Sequence, residues 1–311
     1  MIFTTAFSAV FPLFAKIAIG FGIRQARLLS AQTFDELNRL VFKLFLPALL
    51  FANIYRIEFS SIERTSLLWY SIIAVLGVFG IFFLIVPILI SDNRQRGVVI
   101  QGICRSNFVL FGIPMATNLY GGVSAAFASL LGGLVVPFYN VLSVIVLEYF
   151  RGKKPDYRKI GTGIVTNPII LGALLGAGFS LLQIKIPYLI EQILFEISAI
   201  TAPLALIVLG GSVTYSTVRT NTKALVFAVL GRLVLVPAIG LAVSIAVGYR
   251  NLELILLMSM FASPTAVSSY TMSQQMDGDA DLAGQIVVFT TLFSLITLFL
   301  WISTLMAFGY F

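Results

Sequence analysis

Arg105-Ser106-Asn107-Phe108-Val109-Leu110-Phe111-Gly112-Ile113-Pro114-Met115 is the stretch on which the fold of this chain turns. It lies inside an apolar run long enough to cross a bilayer, yet it holds a cation, an amide, a glycine and a proline. Proline lacks the backbone donor and clashes with the carbonyl four residues back, so the helix is predicted to break here. In hydrocarbon, a break is tolerated only where it is buried in protein or lines a cavity. A second stretch, Phe261-Ala262-Ser263-Pro264-Thr265, places a proline 150 residues after the first. Breaks at matched places in two halves of a membrane protein point to a ligand site between them.

Composition sets the class. Of 311 residues, 59% are hydrophobic and 11% charged, and the mean hydropathy is +1.01. Soluble domains carry about 25% charged residues, so the reading is an all-α polytopic membrane protein. Ten apolar runs suit a hydrocarbon core about 30 Å thick: 3–23, 34–55, 66–90, 97–119, 124–150, 160–182, 188–212, 223–247, 252–275 and 281–308. The first has no preceding basic region or small-residue cleavage site and reads as a span, not a signal.

Loop charge orients these spans. Eleven basic residues follow odd-numbered spans: Arg24, Arg27, Arg94, Arg96, five between 151 and 159, Arg219 and Lys223. Four follow even-numbered spans, namely Arg56, Arg64, Lys185 and Arg250. The positive-inside rule puts the first set in the cytoplasm and both termini outside, in a plasma or inner cell membrane. The same rule accounts for the net charge of +7 without a nucleic-acid partner.

Several chemistries are excluded. The chain has no histidine, which rules out HExxH zinc sites and histidine-based triads. Its single Cys104 permits no intrachain disulfide. Walker A and GxGxxG signatures are absent, so ATP drive within the chain is not expected. Without a nucleophile–base pair or a metal cluster, neither an enzyme nor a metal site is expected. No cofactor is expected beyond a coupling ion, H+ or Na+.

The prolines carry a repeat. Pro12, Pro47, Pro87 and Pro114 are spaced 35, 40 and 27 residues apart, and Pro168, Pro203, Pro237 and Pro264 are spaced 35, 34 and 27 apart. The discrepancy falls in the polar loop around Arg56 to Arg64. Residues 1–150 and 160–311 thus form two five-span halves joined by a cytoplasmic connector, 151–159. An odd number of spans makes the second half enter the membrane from the opposite side. The expected architecture is ten transmembrane helices in a 5+5 inverted repeat, with broken helices 4 and 9 crossing near the midplane.

At that crossing, Pro114 and Pro264 would each open a half-helix, a position proline suits. Two electropositive helix N-termini meeting at one point favour an anion, particularly a carboxylate. The expected binding residues are Asn107, Gly112, Ile113, Pro114, Met115, Ser263, Pro264 and Thr265, with Asn53 and Asn167 as weaker candidates. Asn107 either donates its amide hydrogens to the carboxylate or bridges two helices. Ser263 and Thr265 either touch the ligand or satisfy carbonyls freed by the proline. Arg105 either draws anions inward or pairs with phospholipid. Glu196 is either a proton-coupling carboxylate or an ion-pair partner of Lys16, Lys43 or Arg232. Otherwise those three cations snorkel toward the headgroups.

Two motifs are set aside. Asp277-Gly278-Asp279-Ala280-Asp281 opens like an EF-hand loop, but Leu282 and Val288 stand where that loop needs glycine and glutamate. These aspartates read as a cap on span ten. Gly172-Ala-Leu-Leu-Gly176 matches GxxxG and marks close helix approach, not chemistry.

Asn107-Phe-Val-Leu-Phe-Gly112-Ile113-Pro114, followed by Leu119-Tyr120-Gly121, resembles the fourth helix of the auxin efflux carrier family, which includes plant PIN carriers and bacterial malate and malonate permeases. Thr166-Asn167-Pro168, Pro203-Leu204-Ala205-Leu206 with Gly210, Ser263-Pro264 and Thr290-Thr291-Leu292 fit as well, and the likeness covers nearly the whole chain. The resemblance implies the 5+5 fold and a scaffold of spans 1, 2, 6 and 7 that dimerises. It implies a mobile domain of spans 3–5 and 8–10 that moves like an elevator. It also implies organic carboxylates bound at the asparagine matching Asn107. The short connector 151–159 places the chain with the bacterial branch, where malate or malonate is the expected cargo. A membrane receptor that uses the same pocket to sense a carboxylate is the competing expectation.

Overall fold

The computed structural model describes residues 2–55, 65–108, 111, 116, 122–151, 157–212 and 222–310. Among them every regular element is a helix. In chain order these are α1 (Ile2–Gln25), α2 (Ala31–Leu40), α3 (Leu46–Tyr55), α4 (Thr65–Leu89), α5 (Asn93–Cys104), α6 (Gly122–Phe150) and α7 (Tyr157–Val165). They continue with α8 (Pro168–Leu181), α9 (Tyr188–Ser212), α10 (Thr222–Leu230), α11 (Val236–Val247), α12 (Asn251–Ala262), α13 (Ser268–Gln275) and α14 (Ala280–Ala307). Six described helical segments are long and apolar enough to cross a membrane: Ala31–Tyr55, Ser66–Leu89, Leu130–Phe150, Tyr188–Ser212, Thr222–Val247 and Ala280–Ala307. The expected fourth, sixth and ninth spans are discontinuous, and α1 covers the first.

Large apolar side chains cover the outside. Trp69, Ile73, Leu84 and Ile88 on α4, and Leu174 and Leu182 at α8, are all exposed. Such a surface suits lipid and not water. Inside, close backbone approach and polar caps specify the packing, because hydrocarbon gives apolar burial little driving force.

Two helix pairs show this. A β-carbon on Gly20 of α1 would fall 1.9 Å from the Ile207 carbonyl oxygen of α9, and one on Gly210 would fall 1.9 Å from that of Ile17. Only glycine lets these backbones touch. The GxxxG glycines of α8 do the same against α3, where a β-carbon on Gly172 would lie 2.5 Å from the Pro47 carbonyl oxygen. The motif marks close approach, as expected. Elsewhere α4 packs on α5 and α6, while α10 packs on α14 and α11 on α12.

The prolines leave local signatures. Val41–Phe45 and Gly231–Leu235 are π-helical turns ahead of Pro47 and Pro237. Each proline lacks the N–H that would close the normal ladder, and the ladder widens by one residue. Pro237 leaves the Leu233 carbonyl without its usual donor, and the Trp301 indole N–H donates to it at 3.0 Å. Asn167 caps α8, its Oδ1 accepting from the Ile169 amide at 2.9 Å with Pro168 in the first turn. Asp279 caps α14 in the same way through the Leu282 amide at 3.0 Å. Within the aspartate run, Asp279 is therefore the cap and Asp281 stands in the first turn of the helix.

One end of the bundle ties the two halves of the chain together. Arg151, just past α6, pairs with Glu148 at 2.9 Å and with Asp277, just past α13, at 2.8 Å. Partial burial works to lower the Arg151 guanidinium, but the hydrogen bond to Asp277 and both carboxylate charges outweigh it and raise it above its ordinary value. Arg94 adds a bond to the Asp277 carbonyl at 3.2 Å.

Candidate functional site

Two interrupted segments meet at the centre. Helix α5 stops at Cys104, and Arg105 turns to an extended conformation with φ −88° and ψ 115°. Helix α12 stops at Ala262, and Ser263 is likewise extended with φ −63° and ψ 150°. The two segments then pair as one antiparallel β-bridge between Ser106 and Thr265. The Asn107 amide donates to the Pro264 carbonyl at 2.8 Å and the Ala266 amide to the Arg105 carbonyl at 3.3 Å. Backbone groups that leave their helices thus satisfy one another away from water.

The geometry departs from the expectation in three respects. The first break falls at Arg105 to Asn107, ahead of the proline. Pro114, with Gly112, Ile113 and Met115, lies outside the described residues. The second half-helix starts at Ser268 instead of Pro264, because residues 264–267 cross the partner segment before the helix resumes. The amides of Ser269 and Tyr270 are also already bonded, to the carbonyls of Ala266 and Val267 at 3.0 and 3.1 Å.

A cavity of about 140 Å³ opens beside the crossing. Leu46, Leu49, Leu50 and Asn53 of α3 and Thr201, Ala202 and Ala205 of α9 line one wall. Arg105 to Phe108, Ala266 to Ser268, and Val136, Tyr139 and Asn140 of α6 line the other. Most of this surface is apolar, and none of the lining residues among those described is acidic.

Arg105 supplies the charge. It is 3% exposed, and its guanidinium donates to the side-chain oxygen of Asn140, to Ser268 Oγ at 2.6 Å and toward the Met272 sulfur. All three partners are neutral. A buried guanidinium whose partners among the described residues are all dipoles is costly, and one negative charge at the site would offset that cost. Beside it, the Asn107 side-chain nitrogen Nδ2 is buried and lacks a hydrogen-bond partner among the described residues. A carboxylate bridging Arg105 and Asn107 would meet both demands.

The other expected residues take different places. Ser263 and Thr265 are fully buried and do not line the cavity. Their hydroxyls donate to the backbone carbonyls of Ser259 and Gly102, so they hold the break together. Pro264 contributes its carbonyl to the crossing. Asn53 lines the cavity, while Asn167 serves as a helix cap. Glu196 is not brought to the site. It is exposed on α9, accepts from Gln192 at 3.1 Å, and sits in a shallow groove with Tyr188, Phe195 and Ala199.

Arg232 corrects the snorkelling expectation. It is 0% exposed and donates to the carbonyls of Ser263 at 2.7 Å, Met260 at 2.9 Å, Ile103 at 3.1 Å and Cys104 at 3.3 Å. Met260 lies four residues before Pro264, so its carbonyl is the one that the proline deprives of a donor. Asn140 and Tyr139 were not anticipated either. A lone amide and a lone phenol in an apolar span carry no spacing signal.

Comparison with known proteins identifies a family. The model of the family described as membrane transport protein matches residues 5–302. An uncharacterized transporter of Methanothermobacter thermautotrophicus is 22% identical over 97% of this chain and 99% of its own length. An uncharacterized transporter of Methanocaldococcus jannaschii is 25% identical over 68% of this chain and 69% of its own. The mouse lysosomal cholesterol signaling protein is 24% identical over 68% of this chain, which corresponds to 26% of that longer protein.

Proposed function

We propose that this chain, which belongs to the membrane transport protein family, is a secondary carrier of small organic anions that binds a carboxylate between Arg105 and Asn107. The observation that carries the reading is the buried Arg105 guanidinium, whose partners in a largely apolar cavity are all neutral. Malate and malonate are the first cargoes to test. With one cavity-facing guanidinium, the site favours a single ionised carboxylate over two, so a dicarboxylate would enter as its monoanion.

Movement follows an elevator in this reading. Helices α1, α2, α3, α7, α8 and α9 form the scaffold, and the crossing moves with α4, α5, α6, α10, α11 and α14. The cavity lies between these groups, which supports that division. The glycine contacts of α1 with α9 and of α8 with α3 exchange when the halves of the chain are swapped. That correspondence supports the 5+5 inverted repeat. The Arg151 cluster is the cytoplasmic end, and both termini are outside. The scaffold helices are the proposed homodimer surface.

Uptake and counterflow of labelled carboxylates in proteoliposomes test this. Saturable flux of at least one carboxylate, with its KM strongly raised in Arg105→Gln, is expected. Wild-type protein that moves none of a broad carboxylate panel would sink the proposal. The likeness to a signaling protein favours a second reading, a receptor. Its signature is carboxylate binding by the purified protein without any flux.

A further inference from the structure

Four backbone carbonyls converge on one buried point, and a side chain already fills it. Ile103 and Cys104 end α5, Met260 belongs to the last turn of α12, and Ser263 follows it. A helix C-terminus carries about half a negative charge, so two of them sum to about one. The Arg232 guanidinium brings one positive charge and a planar fork of donors to that point. In broken-helix carriers, such half-helix C-termini and unwound carbonyls are the groups that hold a dissociable alkali cation.

We infer that Arg232 is a tethered counter-cation in the place of that ion, and that it positions the anion site without sodium. The inference rests on the carrier reading above. The contacts explain the positioning. Arg232 grips the two carbonyls immediately before Arg105 and the carbonyl immediately before Pro264, whose own carbonyl accepts the Asn107 amide. Both cavity-facing groups therefore hang from residues that Arg232 holds. The π-helical turn Gly231–Leu235 carries Arg232, and the bond from Trp301 to Leu233 braces that turn.

The test uses the full-length protein with Arg232→Ala and Arg232→Lys. Wild-type initial uptake is expected to be equal in sodium, potassium and choline media. Arg232→Ala is expected to raise the KM for the anion about tenfold or more, the effect of losing roughly one well-placed interaction. Added guanidinium is expected to lower that KM, and urea, its neutral isostere, is not. A purely structural role would reduce the amount of active carrier and leave KM unchanged.

In detergent, guanidinium but not urea at the same low concentration is expected to raise the melting temperature of Arg232→Ala. That measurement needs no substrate, so it stands even if the wild type moves no carboxylate and the carrier reading falls. Should Arg232→Ala fail to fold, Arg232→Lys keeps the charge but loses the fork, and its KM is expected to rise. The inference is overturned by a wild type that requires sodium, by equal rescue with urea, or by wild-type KM in either variant.

Discussion

The backbone amide of Asn107 donates to the carbonyl of Pro264 at 2.8 Å, which joins the two interrupted segments through the residue that faces the cavity. This bond is made by the main chain and does not use the side-chain Nδ2, which has no partner among the described residues. Asn107→Ala is therefore expected to keep the crossing and lose the ligand contact. A hydrogen bond to a charged group is worth about 1.5–3 kcal/mol, so affinity should fall about tenfold or more. Calorimetric titration of the purified variant with the transported carboxylate measures this. Asn107→Asp places a carboxylate beside Arg105 and is expected to abolish anion binding.

Arg105→Gln separates binding from stability. Losing one partner of a buried charge pair costs about 2–5 kcal/mol, so the KM for the anion should rise about 30-fold or more. The ligand-free protein should melt higher than the wild type, because the substitution removes a buried cation that only neutral groups solvate. Differential scanning fluorimetry without substrate checks the second half.

Substrate should also stabilise the wild type. A ligand at 100 times its dissociation constant contributes about 2.7 kcal/mol. The melting temperature is expected to rise with carboxylate in the wild type and to rise much less in Arg105→Gln at the same concentration.

Voltage dependence should divide between the two limbs of the cycle. In the proposed carrier, Arg105 with a bound monoanion is neutral, whereas the empty site is positive. Moving one charge across the membrane is worth about 2.3 kcal/mol per 100 mV, and only the empty return bears it. Exchange of labelled for unlabelled substrate should be indifferent to a valinomycin-set potential, and net flux should respond to it. Voltage-sensitive exchange would contradict a neutral loaded state.

Glu196→Gln should leave pH-driven accumulation unchanged. The carboxylate sits on the exposed face of α9 and does not line the cavity. Loss of accumulation with exchange retained would restore it as a coupling group.

The glycine contact of α1 with α9 predicts a sharp size limit. Gly20→Leu forces a side chain into the Ile207 carbonyl and is expected to destabilise by about 1–3 kcal/mol or more. Gly178→Ala is the control, since a β-carbon there meets nothing within 4 Å. Size-exclusion profiles and melting curves of the two variants make the comparison.

Much of the crossing was legible in the sequence, because Pro264 and Asn107 are conspicuous inside apolar runs. The break near Pro264 is where it was expected. The first helix stops earlier than its proline suggested, since Arg105 and Ser106 pair with the opposing segment, and no local rule encodes a partner 159 residues away (Ser106 to Thr265). Arg232 was misread because a cation in an apolar span reads the same whether it reaches for headgroups or for carbonyls. The expected electropositive helix ends also proved less decisive than a side chain, because the Ser269 and Tyr270 amides are bonded within their own turn. The prolines in the first turns of α3 and α11 were visible, but the widened turns before them depend on what receives each stranded carbonyl.

Gly20 and Gly210 lie 190 residues apart, and neither has its complementary surface until the other exists. At a synthesis rate of about 5–20 residues per second, the first helix waits in the bilayer for roughly 10–40 s before its mate leaves the ribosome. Meanwhile α4, α5 and α6 are already complete and can assemble with one another. The α4–α6 group thus begins to take shape before the α1–α9 pair can close, and the opening helix is the piece most in need of shelter during biogenesis.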